Sequence, residues 1–176
     1  MRPATFLSGA ALLAGALVPI AAHAEPGDSE TESGVAAAQV VAMGSVHRLA
    51  DLRFGAFPSP TAAATMTVNP DGSVAATGQL ATTMNLFTTA DGRGPGRFRI
   101  QGTNNRAFVA FLPSRVTITS GTNSMLVDRM RSNVFGNVRL DLDGKFIYTV
   151  GGRLNVPANQ APGSYRGEYT LTVLFL

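Results

Sequence analysis

Apolar and polar positions alternate most cleanly at the end of the chain. From Tyr165 the odd positions read Tyr165, Gly167, Tyr169, Leu171, Val173 and Phe175. The even positions read Arg166, Glu168, Thr170 and Thr172, then turn apolar at Leu174 and Leu176. Period-2 alternation rich in aromatic and β-branched residues predicts a strand with one face on a core and the other, at first, on water. The apolar end needs a partner inside a sheet, because an open apolar edge is a template for association.

The same reading predicts a run of shorter strands upstream. Leu52 and Phe54 alternate with Asp51 and Arg53, giving a strand over Asp51–Phe57 that Pro58 and Pro60 end. Thr65–Val68 alternates Thr with apolar residues, and Asn69-Pro70-Asp71-Gly72 is a β-turn, because Pro fixes φ and Gly accepts φ > 0. Ser73–Leu80 is the weaker second arm. Arg97–Gln101 alternates with Phe98 and Ile100 inward and Arg97, Arg99 and Gln101 outward. Ala107–Leu112 is apolar on both sides, as a central strand would be. Arg115–Thr119 and Met125–Met130 follow. Val138–Leu142 and Lys145–Val150, joined at Leu142-Asp143-Gly144, read as a hairpin. Gly151-Gly152 permits a kink, after which Leu154 and Val156 lead to Pro157.

No convincing amphipathic helix stands among these strands, so the pattern predicts an all-β fold, an antiparallel β-sandwich with no helix beyond short turns. The expected core holds Phe54, Val68, Phe98, Ile100, Val109, Ile118, Val138, Leu140, Phe146, Tyr148, Leu154, Tyr169, Leu171, Val173 and Phe175.

The first 24 residues change the picture from fold to address. Arg2 is a short positive start, Pro3–Ile20 is apolar or small, and Ala22-His23-Ala24 is a small-x-small cleavage pattern. Residues 1–24 therefore read as a secretory signal peptide. The expected location is the periplasm, the cell surface or the extracellular medium. No later stretch is long and apolar enough to span a bilayer as a helix. Residues 25–34 carry four acids and no base, a flexible acidic leader by composition. Residues 35–176 are expected to form a single β-sandwich domain. Its first segment, Val35–Val46, is apolar on both faces and fits helix or strand by period; its valines and the Gly44 break favour an extended segment. With no cysteine in the chain, packing alone must hold the fold.

Two stretches carry a resemblance. Ala50-Asp51-Leu52-Arg53-Phe54-Gly55 resembles an "ADLxFG" strand near a mature start. Gly152-Arg153-Leu154-Asn155-Val156-Pro157-Ala158-Asn159-Gln160, followed by Gly163 to Val173, resembles a "GGxLxVPAxQxxGxYxGxYTLTV" ending. Together they resemble an exported bacterial domain family of unknown function, common in alphaproteobacteria, and are similar to the spore-coat-U and archaic chaperone–usher pilin domains. That resemblance implies an immunoglobulin-like sandwich lacking one strand, with the groove filled by a neighbour's N-terminal extension. Residues 35–46 sit where such a donor strand would lie, with Val35, Ala37, Val41 and Met43 on one face. The chain departs from many archaic pilins in having no cysteine. Its donor-like segment is also apolar on its second face.

Chemistry is sparse. After cleavage His47 is the single histidine, and nothing marks a nucleophile or acid beside it as a catalytic set. Without cysteine, a His/Cys zinc cluster is excluded. Asp141-Leu142-Asp143-Gly144 is a fragment of a calcium loop without the closing Glu, and a turn explains the same residues. Gly92-Arg93-Gly94-Pro95-Gly96 is a loop, not a phosphate cradle. No catalytic, cofactor or metal residue is assigned, and no cofactor is expected.

From Val35 onward thirteen Lys/Arg face seven acids, and the bases are scattered. The densest patch is Arg97, Arg99 and Arg106, with Arg93 before them, and Arg97 and Arg99 share one face of a strand. They either contact a polyanion or keep a solvated face soluble. Nucleic acid is not an expected partner, since basic clustering is its footprint.

The expected function is a non-enzymatic structural subunit, pilin-like, assembling a surface fibre or coat by strand exchange. Its partners would be other copies or a chaperone–usher system. The alternative is a self-complete binding module for an anionic polymer or a protein.

Overall fold

The computed structural model describes residues 44–86 and 92–176. The signal-peptide and leader expectations, and Val35, Ala37, Val41 and Met43, lie outside the described residues. Among the described residues ten strands follow one another: β1 (Gly44–Ala50), β2 (Ala64–Val68), β3 (Val74–Ala76), β4 (Gly96–Gly102), β5 (Ala107–Phe111), β6 (Val116–Ser120), β7 (Asn123–Ser132), β8 (Val138–Arg139), β9 (Lys145–Val156) and β10 (Thr172–Phe175). One four-residue helix, α1 (Leu80–Thr83), and a 3₁₀ turn at Met84–Leu86 follow β3, within the short turns that the pattern allowed.

The strands form two antiparallel sheets. The larger runs β1-β4-β9-β2-β3, with β7 also on β9 and β6 on β7; the smaller runs β10-β5-β8. Their inner faces share one core, in which Phe108 of β5 meets Phe146 of β9 edge-on at 5.4 Å between ring centroids. The all-β antiparallel sandwich expected from the alternation is the fold observed.

β9 is the hub. It pairs β4 through Lys145–Val150, β2 through Gly152–Val156, and β7 from Val150 to Asn155. The β9 ladder continues through Gly151-Gly152, Gly151 opposite Arg131 and Gly152 opposite Val68. A Cβ at Gly151 would overlap the Val68 carbonyl oxygen and come within 2.8 Å of the Pro70 ring, so glycine admits the β2 end and the Asn69–Gly72 turn against β9. That turn forms as predicted: the Gly72 amide donates to Asn69 O at 2.9 Å, and Gly72 has φ 89°.

Several expectations are corrected. Asp51–Phe57 is not a ladder strand; Arg53 and Gly94 alone exchange two backbone hydrogen bonds there. Arg93 pins the same loop, donating to Ala56 O at 3.0 Å and to Met84 O. Val138–Leu142 and Lys145–Val150 do not pair as a hairpin. The turn closes, with Asp141 Oδ1 accepting from the amides of Asp143 and Lys145, but β8 crosses to β5 in the other sheet.

Val109 does not face the core. It lies opposite Leu174 on the outer face of the small sheet, while Phe108 is fully buried. Apolar residues on both faces of β5 left no period to choose by. The C-terminal segment keeps its alternation of burial from Glu168 to Leu176, with Gly167 exposed, yet only Thr172–Phe175 form a ladder, with β5. Upstream, Arg166 makes an isolated bridge to Thr119. Tyr165 anchors the loop before it, donating from its hydroxyl to Ala161 O at 2.7 Å and accepting from Gln160 Nε2 at 2.6 Å. That is the tyrosine-corner device of β-sandwiches.

Candidate functional site

Two surfaces are built by this topology. The first is the gap between the free edges of β1 and β10. Residues 44–46, placed in the donor segment by the sequence, are instead the start of β1 and pair with β4 of the same chain (Gly44 with Gly102, Val46 with Ile100). The rest of the expected donor segment, 35–43, lies outside the described residues. Val46 lies opposite the buried Ile100 but is 39 % exposed, and among the described residues β1 pairs only with β4. Across the gap, Leu171, Val173 and Phe175 of the C-terminal segment pack against the core and are only half-buried. The Phe175 ring fills the space a side chain on Gly44 would need, which brings the start of β1 against β10. Leu174 and Leu176 point outward, 54 % and 55 % exposed, beside Phe111 at 57 %.

On the far side of β5, β8 pairs only Ala107 and Phe108. There a cleft of about 250 Å³ opens, with Phe108, Met130, Val138 and Tyr148 on its apolar side and Arg131 and Ser132 on its polar side.

The second surface is the outer face of β1, β4 and β9. Register places Ser45, Gln101 and Lys145 in one row, His47, Arg99 and Ile147 in the next, and Ala50, Arg97 and Thr149 in the third. Arg97 and Arg99 are both exposed on this face, as the alternation predicted. The sequence reading missed that His47 and Lys145 join them. The signal was present in β9, where Lys145, Ile147 and Thr149 share parity opposite Phe146 and Tyr148, but cross-strand register is not written in either strand alone.

Among the described residues neither Arg97, Arg99 nor Lys145 forms an ion pair, whereas Arg48 binds Asp51 at 2.8 Å and Arg153 binds Asp128 through both nitrogens at 2.7 and 2.8 Å. His47 Nε2 lies 3.1 Å from Ser45 Oγ.

Perturbed ionisations are structural here. The Arg153 hydrogen bonds hold the Asp128 carboxyl below the usual carboxylate range. Burial, aided by Asp51 and opposed by Arg48, pushes the Tyr169 hydroxyl up to about 12, where its ring packs edge-on against Phe98. Hydrogen bonds from the Ser73 hydroxyl and amide lower Asp71 in the β2–β3 turn. Among the described residues no three His, Cys, Asp or Glu side chains converge as a metal-ion set, and no helix is long and apolar enough to cross a membrane. Asp141 caps the turn before β9 with its side chain, the turn reading of the calcium-loop fragment.

No curated protein and no solved structure matches the chain. Residues 45–175, from the start of β1 to the end of β10, match the model of a domain of unknown function, DUF4402, and the chain belongs to that family, as the two terminal motifs led one to expect.

Proposed function

We propose that this domain is an exported, non-enzymatic structural subunit, pilin-like in its assembly, that joins copies of itself by strand exchange. The donor is the apolar segment 35–43, and the acceptor is the gap between β1 and β10. One observation carries the reading: core-side residues on both edges, Val46 on one and Leu171, Val173 and Phe175 on the other, stay half-covered in the folded domain. An added strand would pair with the free edge of β10 and bury them, the usual gain of strand addition. Nine residues exceed the typical strand length of about 5–6. The signal-peptide pattern of residues 1–24 supplies the export.

The test compares mature chain 25–176 with a form lacking residues 25–43. Strand exchange predicts a ladder on unheated SDS gels that collapses on boiling; with no cysteine present, disulfides cannot produce it. It also predicts that a 35–43 peptide raises the melting temperature of the truncated form and shortens the ladder of the mature chain. A mature chain that stays monomeric at high concentration, with no response of the truncated form to the peptide, overturns the reading in favour of a self-complete module.

A further inference from the structure

We infer that the outer face of β1, β4 and β9 is a binding site for a linear polysaccharide bearing a carboxylate on each sugar. Three observations lead there. The sheet register brings Arg97, Arg99, Lys145 and His47 onto one exposed face. Neighbouring strands lie roughly 4.8 Å apart and alternate residues roughly 7 Å apart, so these groups form a close grid. Second, Arg97, Arg99 and Lys145 have no carboxylate partner among the described residues, while Arg48 and Arg153 on the same sheet are each paired. Acids flank the face: Asp141, whose Oδ1 accepts from the Lys145 amide, Asp143 in the same turn, and Asp51 held by Arg48.

Third, the face carries no Phe, Tyr or Trp ring, and His47 is its one aromatic side chain. Phe98, Phe146 and Tyr148 of β4 and β9 all point to the core side, opposite Arg48, Ile100 and Phe98 respectively. Single-stranded nucleic acid is held by stacking on aromatic platforms, which this face lacks. A lipid surface needs a cluster of apolar side chains to insert; within the three rows Ile147 is the one large apolar residue, and the exposed Leu49 and Leu142 lie apart from it, at the β1 bulge and in the turn before Lys145. What remains is a flat array of guanidinium forks and one ammonium. Guanidinium pairs bidentately with carboxylate, so an extended polyuronate laid along β4 can meet Arg97 and Arg99 in succession. The site is independent of the edge gap and does not depend on strand exchange.

The experiment titrates mature chain 25–176 with polygalacturonate, with neutral dextran, single-stranded DNA and phosphatidylglycerol vesicles as the other arms. Arg97→Gln/Arg99→Gln is compared with Arg115→Gln/Arg166→Gln, which removes the same charge from exposed positions elsewhere. The expected result is polygalacturonate binding that weakens with salt, falls roughly tenfold or more in the Arg97/Arg99 variant, and changes less than about twofold in the control.

Lys145 is the single lysine of the chain, so its acetylation reports the face directly. Polygalacturonate should protect it, and dextran should not. The inference is overturned by absence of polygalacturonate binding, by equal loss in both variants, by tighter binding of DNA or vesicles, or by an unprotected Lys145. Retained melting temperatures in both variants separate lost binding from lost folding.

Discussion

The two sheets are made from the same alternation and end in different states. In the large sheet β9 has partners along its whole length. Met66, Val68, Val127, Val150, Leu154 and Val156, from β2, β7 and β9, are all buried to 1 % exposure or less. In the small sheet only Phe108 of the central β5 reaches that level. Val138, Leu171, Val173 and Phe175 alternate as faithfully but stop half-buried, because β8 is two residues long and β10 has one neighbour. Alternation sets which way a side chain points, and the number of neighbouring strands sets how dry it becomes.

That contrast can be broken most forcefully at the hub. Leu154→Asp puts an unpaired carboxylate at a fully buried site and should leave no cooperative melting transition, a loss of several kcal/mol. Leu171→Asp, at a half-buried site, should cost about 1–3 kcal/mol and leave a folded domain with a lowered melting temperature. Equal behaviour of the two would erase the distinction between the regions. Gly151→Ala comes next: its Cβ meets backbone that cannot swing away, and denaturant titration should show a loss of about 1–3 kcal/mol.

Smaller effects sharpen the comparison by pH. The Asp128 carboxyl is lowered by Arg153, so the folded state holds it ionised more readily than the unfolded chain. Its contribution is fully present above the ordinary carboxylate value of 3.8 and is lost as pH falls through the lower folded value. Asp128→Asn should therefore flatten the acid limb of the melting-temperature profile while barely changing its shape above neutrality. Tyr169 acts at the other end. Its hydroxyl sits at about 12 against an ordinary 10.0, so its contribution is intact below pH 10 and declines as pH rises toward 12. Tyr169→Phe should remove that alkaline decline. An unchanged profile in either variant would detach the group from the stability of its sheet.

Much of this was legible in the chain. The alternation over Arg97–Gln101 placed Phe98 and Ile100 inward and both arginines outward, and Asn69–Gly72 announced its turn. What stayed hidden depends on partners distant in sequence. The need for glycine at 151 shows only once Val68 O is seen against it. Val138–Arg139 looks like half a hairpin until β5 claims it. Ala107–Phe111, apolar throughout, could not say whether Phe108 or Val109 faced the core. The basic face was half visible for the same reason: two of its groups share β4, and the other two arrive by register from β1 and β9.

The hub also fixes when the domain can exist. β2 and β4 find their shared partner only in Lys145–Val156, more than forty residues after β4 ends. Until that strand is available the earlier ones have unpaired edges, and sheets built on such distant pairings form slowly and pass through association-prone states. A chain emerging from its N-terminus thus carries an apolar 35–43 segment and strand pairs with one open edge until Lys145–Val156 is made. Its window for misassembly closes only when the last quarter of the sequence arrives.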